Sequence, residues 1–225
     1  MTIHGPYSKL EAKTYDRDRA VEPLWHIENA YVTALLNRVP ASSILDAPVG
    51  TGRFLDLYSA PTSEVVGVDL SASMLEEAAR RIAVCKASKV TLMKASVTSL
   101  PLNDAQFDLV ICWRLLHLLP QETLVDVFRE LRRVCRGTLS IQCYAQAPLL
   151  VRLKARANRW GRRIRLLFKQ ERALTPWSHI QVYNHSYEAI ETAASRAGLM
   201  KPSRIEELGK YEGTLVMAVE WDCKK

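Results

Sequence analysis

No apolar run in this 225-residue chain approaches the length that crosses a bilayer, and residues 1–20 lack the apolar core of a secretion signal. There is no Cys-x-x-Cys pair, and the five cysteines (Cys85, Cys112, Cys135, Cys143, Cys223) are odd in number. That spacing excludes a zinc-ribbon or a fully paired disulfide framework. It suits small core residues in a reducing, cytoplasmic setting, with no metal expected. No repeat and no low-complexity tract interrupts the chain. Acidic residues are nearly missing from one stretch: residues 149–172 hold nine Arg or Lys and only Glu171. The net charge of +7 therefore resides there, and the remainder is close to neutral. Apolar residues make up 48% and charged residues 24%, enough to build one well-filled domain over 1–225.

The chain is organised around Ser43-Ile44-Leu45-Asp46-Ala47-Pro48-Val49-Gly50-Thr51-Gly52-Arg53. An apolar run meets a carboxylate, then a turn with two glycines, then a helical pattern from Arg53. Glycines there let backbone N–H groups approach a ligand without an intervening Cβ. A Gly-x-Gly alone is weak, since many ordinary turns contain it. The next strand, Glu64-Val65-Val66-Gly67-Val68-Asp69, ends in an acid seventeen positions after Gly52. In a βαβ unit a carboxylate at that tip reaches the ribose of a nucleoside held on the first loop. The competing reading is an ordinary β-turn-α with a surface Asp.

Apolar positions Val21, Leu24, Trp25, Ile27, Tyr31 and Leu35 predict a helix over about 18–38, stopped by Pro40, with Pro23 tolerated near its start. Residues 1–16 are expected to be loosely ordered. Phe54 to Tyr58 read as a short helix, and Ser73 with Glu76 as the capping box of a second, carrying Met74, Leu75, Ala78 and Ile82. Strands are expected at Val90–Met93, Phe107–Trp113, Thr138–Tyr144, 202–207 and 214–221. A helix Leu124–Val134 closes at Gly137, and one capped by Ser186 ends at Gly198. The unalternating run Phe107–Trp113 suits a parallel strand covered on both faces. Alternating strands and helices predict an α/β doubly wound, mostly parallel seven-stranded sheet, with ligands at the carboxyl ends of its strands. Within it, 1–40 form an N-terminal helical cap, 41–146 the cofactor-binding half, 147–185 an inserted basic segment and 186–225 a final helix and strands.

Leu45-Asp46-x-Pro48-x-Gly50-x-Gly52, Val66-Gly67-Val68-Asp69-Leu70-Ser71-x-x-Met74-Leu75, Leu100-Pro101-Leu102 and Phe107-Asp108-Leu109-Val110 together resemble the class I S-adenosylmethionine-dependent methyltransferases. The resemblance is to the branch with quinone-biosynthesis and other small-molecule enzymes, and it runs from about Ile44 to Gln142. It implies a Rossmann-like methyltransferase fold with an antiparallel last strand and S-adenosyl-L-methionine as cofactor. Two positions depart from the pattern. Pro48 replaces the first glycine, and Ala95-Ser96 replace a Gly-Asp whose acid binds adenine in the family.

By motif position, the resemblance assigns cofactor binding to Asp46, Ala47, Pro48, Gly50, Thr51 and Gly52, with Asp69 on the ribose. Leu70, Met74, Ser96 and Val97 fall to the adenosyl group, and Cys112 contributes through its backbone. Methyl transfer from a sulfonium needs alignment and water exclusion more than a catalytic triad, so the lack of one is no objection. His117 is the candidate base, against the alternative of a packed histidine. Tyr15, Trp113, Arg114, His179 and Tyr183 are candidate acceptor contacts, and Tyr7 and Tyr15 candidates to close the site.

The Asn/Asp-Pro-Pro-aromatic tetrad of base-amine methyltransferases is missing, as are a Pro-Cys thiolate and a protein-arginine glutamate pair. These absences favour a small-molecule or lipid-like acceptor. Residues 149–172 read as a basic amphipathic helix with three uses: a lid, an anchor on an anionic membrane surface, or a phosphate-binding stripe for nucleic acid. A non-catalytic binding protein on the same fold and an RNA methyltransferase remain as alternatives. A nicotinamide oxidoreductase would need a glycine at position 55, where Leu55 stands.

Overall fold

The structure, a computed structural model, describes residues 8–58, 64–84, 89–146, 181–211 and 214–224. Tyr7, His179 and the basic stretch 149–172 with its expected helix lie outside them. The N-terminal region contains two helices rather than one, α1 (Lys9–Arg19) and α2 (Pro23–Arg38). Order begins earlier than the polar composition of residues 1–16 suggests, because Ser8 and Glu11 form a complete capping box. The turn at Ala20–Glu22 breaks the expected single helix, and Pro23 occupies the first turn of α2, where its missing N–H costs nothing.

Among the described residues eight strands form one sheet: β1 (Ser43–Asp46), β2 (Glu64–Asp69), β3 (Lys89–Lys94), β4 (Phe107–Cys112), β5 (Cys135–Gln146), β6 (His185–Ser186), β7 (Arg204–Tyr211) and β8 (Thr214–Asp222). The order is β3-β2-β1-β4-β5-β8-β7, with the two-residue β6 beside the end of β5. β6 is the strand beyond the seven expected. The pairs from β3 to β5 are parallel, and β8 runs antiparallel to both β5 and β7.

Alternate strand residues feed two cores, one on each face. Leu45, Val68, Val110, Cys112 and Leu139 pack beneath α4 (Leu124–Val134) and α5 (Tyr187–Arg196). Ile44, Val65, Leu109 and Ile111 pack beneath α2, with Ala78 of α3 (Ala72–Val84) in the same core.

Three local readings are corrected. The helix expected from Arg53 shrinks to a 3-10 turn at Leu55–Leu57, which seats Leu55 fully buried. Ser71, not Ser73, caps α3, its Oγ accepting from Met74 N–H at 3.4 Å. Gly137 does not close α4 but lies inside β5, where a Cβ would sit 2.1 Å from the Asp108 carbonyl oxygen. Among the described residues no helix is long and apolar enough to cross a membrane.

Candidate active site

The loop after β1 is wedged between the two neighbouring strands. Ala47 N–H donates to Ile111 O on β4 at 2.9 Å, and Val49 N–H to Val68 O on β2 at 2.8 Å. Pairing on both sides holds the loop open at the carboxyl edge of the sheet, past a cis Ala47–Pro48 peptide. Gly50 and Gly52 then take left-handed conformations, φ +55° and +75°. A Cβ on Gly52 would lie 2.6 Å from Leu55 and 3.2 Å from Ala78, whereas one on Gly50 would meet nothing within 4 Å. The loop therefore packs on its inner side and faces open space on its outer side, as a backbone cradle for a ligand requires.

Asp69 closes that cradle. Its Oδ2 accepts from Gly50 N–H at 2.9 Å and its Oδ1 from Ser71 N–H at 2.8 Å, so the tips of β1 and β2 are joined through one carboxylate. Burial raises its pKa, against the pull of these N–H donors. Each oxygen keeps a lone pair for a ribose hydroxyl. Asp46 lies fully inside and accepts from Tyr58 Oη at 2.9 Å. Burial pushes its carboxyl up to about 7, with the Asp69 charge adding to the shift. This donor set, a glycine cradle beside two strand-tip carboxylates, fits an adenosyl cofactor.

The remaining predicted contacts ring the cradle. Thr51 is buried, and its hydroxyl donates to Asp16 Oδ1 on α1 at 2.6 Å. Met74 is buried among Ala12, Tyr15 and Trp25, so α1 and α2 meet the start of α3 beside the loop. Leu70 follows Asp69 in the β2–α3 connection, half-buried. Beyond β3, Ser96 Oγ bonds Thr98 Oγ1 at 2.8 Å and accepts Thr98 N–H, forming a turn with Val97 buried. A cleft of about 340 Å³ runs alongside, bounded by Ala12, Asp16, Thr51 and Arg81. Cys112 is fully buried with its thiol pKa raised, which leaves only its backbone for a ligand.

The acceptor candidates divide. Trp113 turns away into the core, packing on Tyr31 and Phe54 and donating from Nε1 to Ser140 Oγ at 3.3 Å. That is a correction of its expected acceptor contact, since the ring is 2% exposed. Arg114 turns the other way, through a left-handed backbone with φ +59°. Its Nη1 donates to both oxygens of Glu28 at 3.2 Å, and its backbone N–H to Gln142 Oε1 at 3.1 Å. Glu28 is fully buried and also receives Arg53 Nη1 at 2.7 Å and Gln142 Nε2 at 2.5 Å. Burial would push this carboxyl up, but Arg114, Arg53 and Gln142 together hold it below its ordinary value.

His117 packs against Tyr144 in a tilted arrangement, with ring centroids 4.4 Å apart and planes at 51°. Burial, reinforced by Arg114 and Arg19, drives its pKa down to about 3, so the imidazole is neutral at physiological pH. Tyr15 packs under the Arg19 guanidinium, 5.6 Å from its ring centroid. Tyr183 reaches the same edge, its N–H donating to His117 O at 2.8 Å.

Sequence reasoning missed Glu28, Arg53, Gln142, Tyr144 and Tyr58. Glu28 carried a usable signal, a charge on the apolar stripe Leu24, Trp25, Tyr31, Leu35 of α2. The others depend on contacts between distant segments.

A family model described as a methyltransferase domain matches residues 44–137. Those residues match a methyltransferase domain, and over that stretch the chain is similar to named methyltransferases. A malonyl-[acyl-carrier protein] O-methyltransferase of Enterobacter lignolyticus is 37% identical over 121 residues, 52% of this chain and 45% of that protein. The ubiquinone/menaquinone biosynthesis C-methyltransferase UbiE of Syntrophotalea carbinolica is 37% identical over 118 residues, 50% of this chain and 49% of its own length. The chain thus spans about half the length of the curated relatives it matches. In fold it is similar to magnesium protoporphyrin IX methyltransferase from Synechocystis PCC 6803, with TM-score 0.62 and 18% identity over 94% of this chain and 87% of that one.

Proposed function

We propose that this protein transfers the methyl group of S-adenosylmethionine to a small-molecule acceptor by in-line displacement. The observation that carries this reading is the single carboxylate of Asp69 joining the glycine loop to the tip of β2, inside the matched domain. The cofactor supplies an electrophilic methyl already activated by its sulfonium charge. The loop amides around Gly50, Thr51 and Gly52 hold its polar end, and Asp69 orients the ribose. Leu70, Met74, Ser96 and Val97 flank the adenine. Asp46, held by Tyr58, supports the loop from within. α1 and α2 exclude water, and the carboxyl ends of β4 and β5 present the acceptor. Relatives named for malonyl-[acyl-carrier protein] O-methylation and for quinone-biosynthesis C-methylation support an acceptor of small-molecule or lipid-like class over nucleic acid.

Calorimetric titration with S-adenosylmethionine and S-adenosylhomocysteine tests the reading. Stoichiometric binding of both is expected, and heat from neither would overturn it in favour of a scaffold that does no chemistry.

A further inference from the structure

At the carboxyl ends of β4 and β5 the guanidinium of Arg114 is used on one side only. Nη1 is committed to Glu28, while Nε is buried without a hydrogen-bond partner, and Nη2 has none among the described residues. Nε and Nη2 form the edge that meets both oxygens of a carboxylate in parallel. The side chain is only 10% exposed, so leaving that edge unmatched is costly unless a ligand takes it. A second buried atom beside it is also unmatched, His117 Nδ1, and the adjoining Tyr144 hydroxyl makes no hydrogen bond among the described residues.

The charge balance points the same way. Two guanidiniums, Arg53 and Arg114, share the one carboxylate of Glu28. Arg19, close enough to depress the His117 pKa, has its own partner in Glu22 at 3.0 Å. The Arg53–Glu28–Arg114 trio thus carries one positive charge more than it neutralises; the buried Asp46 carboxyl faces the Arg53 side of it, which leaves Arg114 with Glu28 alone as its ion-pair partner among the described residues.

From this we propose that the acceptor is a carboxylate, gripped by the Nε/Nη2 edge of Arg114 with the Tyr144 hydroxyl beside it, and methylated on oxygen. The inference rests on the methyltransferase reading and names its substrate class. Attack by the carboxylate oxygen forms an O–C bond to the methyl carbon as the C–S bond breaks. The bonding pair stays on sulfur, and the products are a methyl ester and S-adenosylhomocysteine. No proton is released, so no base is required, and the lowered proton affinity of buried His117, which makes it a weak base, fits that step better than methylation of an alcohol or protonated amine.

Calorimetry on protein saturated with S-adenosylhomocysteine, which lacks the sulfonium charge, isolates the protein's own contribution. The probes are benzoate and octanoate against benzamide and octanamide. At least one acid is expected to bind tenfold or more tightly than its amide. Arg114→Gln should reduce that preference below twofold with S-adenosylhomocysteine affinity within threefold of the parent, and Tyr144→Phe should weaken the acid alone. Equal binding of acid and amide, or no binding of either acid, overturns this proposal while leaving the cofactor reading intact. A tenfold loss of S-adenosylhomocysteine affinity in Arg114→Gln would assign the guanidinium edge to the cofactor's own carboxylate and also overturn it. Failure of S-adenosylhomocysteine to bind the parent protein removes both readings.

Discussion

Thr51 and Asp16 are joined by a 2.6 Å hydrogen bond, which ties the glycine loop to a helix thirty-five residues earlier. Asp16 also pairs with Arg81 of α3, so one half-buried carboxylate links α1, the loop and α3. The bond seats α1 against the glycine loop. Asp16→Ala should cost about 1 kcal/mol of stability, the low end for a partly exposed charged hydrogen bond. More tellingly, amide exchange in α1 should accelerate well before that in β1 and β4. Hydrogen-exchange mass spectrometry with and without S-adenosylhomocysteine checks this, with the nucleoside expected to restore protection.

Asp69 accepts from the amides of Gly50 and Ser71, and the proposed function assigns its remaining lone pairs to the ribose. Asp69→Ala should weaken S-adenosylmethionine by about 1.5–3 kcal/mol, roughly ten- to a hundredfold. Asp69→Asn, which can keep one amide contact, should fall between. Calorimetry on all three proteins reads the order directly, and an unchanged affinity in Asp69→Ala would place the ribose elsewhere.

Asp46 makes stability depend on pH. Its folded pKa, pushed up to about 7 by burial, lies above the ordinary 3.8. The native state therefore retains a proton that the unfolded chain has lost, and this contribution is fully present below pH 4. It fades as pH rises through 7, by at most roughly 4 kcal/mol. Urea melts of the cofactor-free protein between pH 5 and 8 should show a falling midpoint from this group. Asp46→Asn should flatten the profile over that window.

Gly137 is a close-approach glycine in the middle of a buried strand pair. Gly137→Ala would drive a methyl into the Asp108 carbonyl, at 2.1 Å, and only backbone displacement between β4 and β5 relieves it. A loss of about 3 kcal/mol or more is expected, at the upper end of overpacking costs. Thermal denaturation measures it, and a melting temperature within a degree of the parent would show that the two strands separate easily.

Local pattern was enough for the order of elements from Ile44 to Tyr144, the parallel centre of the sheet, the glycine loop, the acid at the tip of β2 and the likeness to a methyltransferase domain. Each depends on a periodicity or spacing written along a short stretch of chain, such as the unbroken apolar run of β4 or the acid at the tip of β2. The structure alone decided what crosses between stretches. It made Trp113 a core ring and Arg114 a partner of Glu28, although the two are adjacent, because a left-handed turn at Arg114 separates their directions. It also placed Glu28 under two guanidiniums from residues 53 and 114, and reduced the helix after the loop to one turn. Charge pairing and burial among residues far apart in the chain depend on the packed sheet and helices, and no local window contains them.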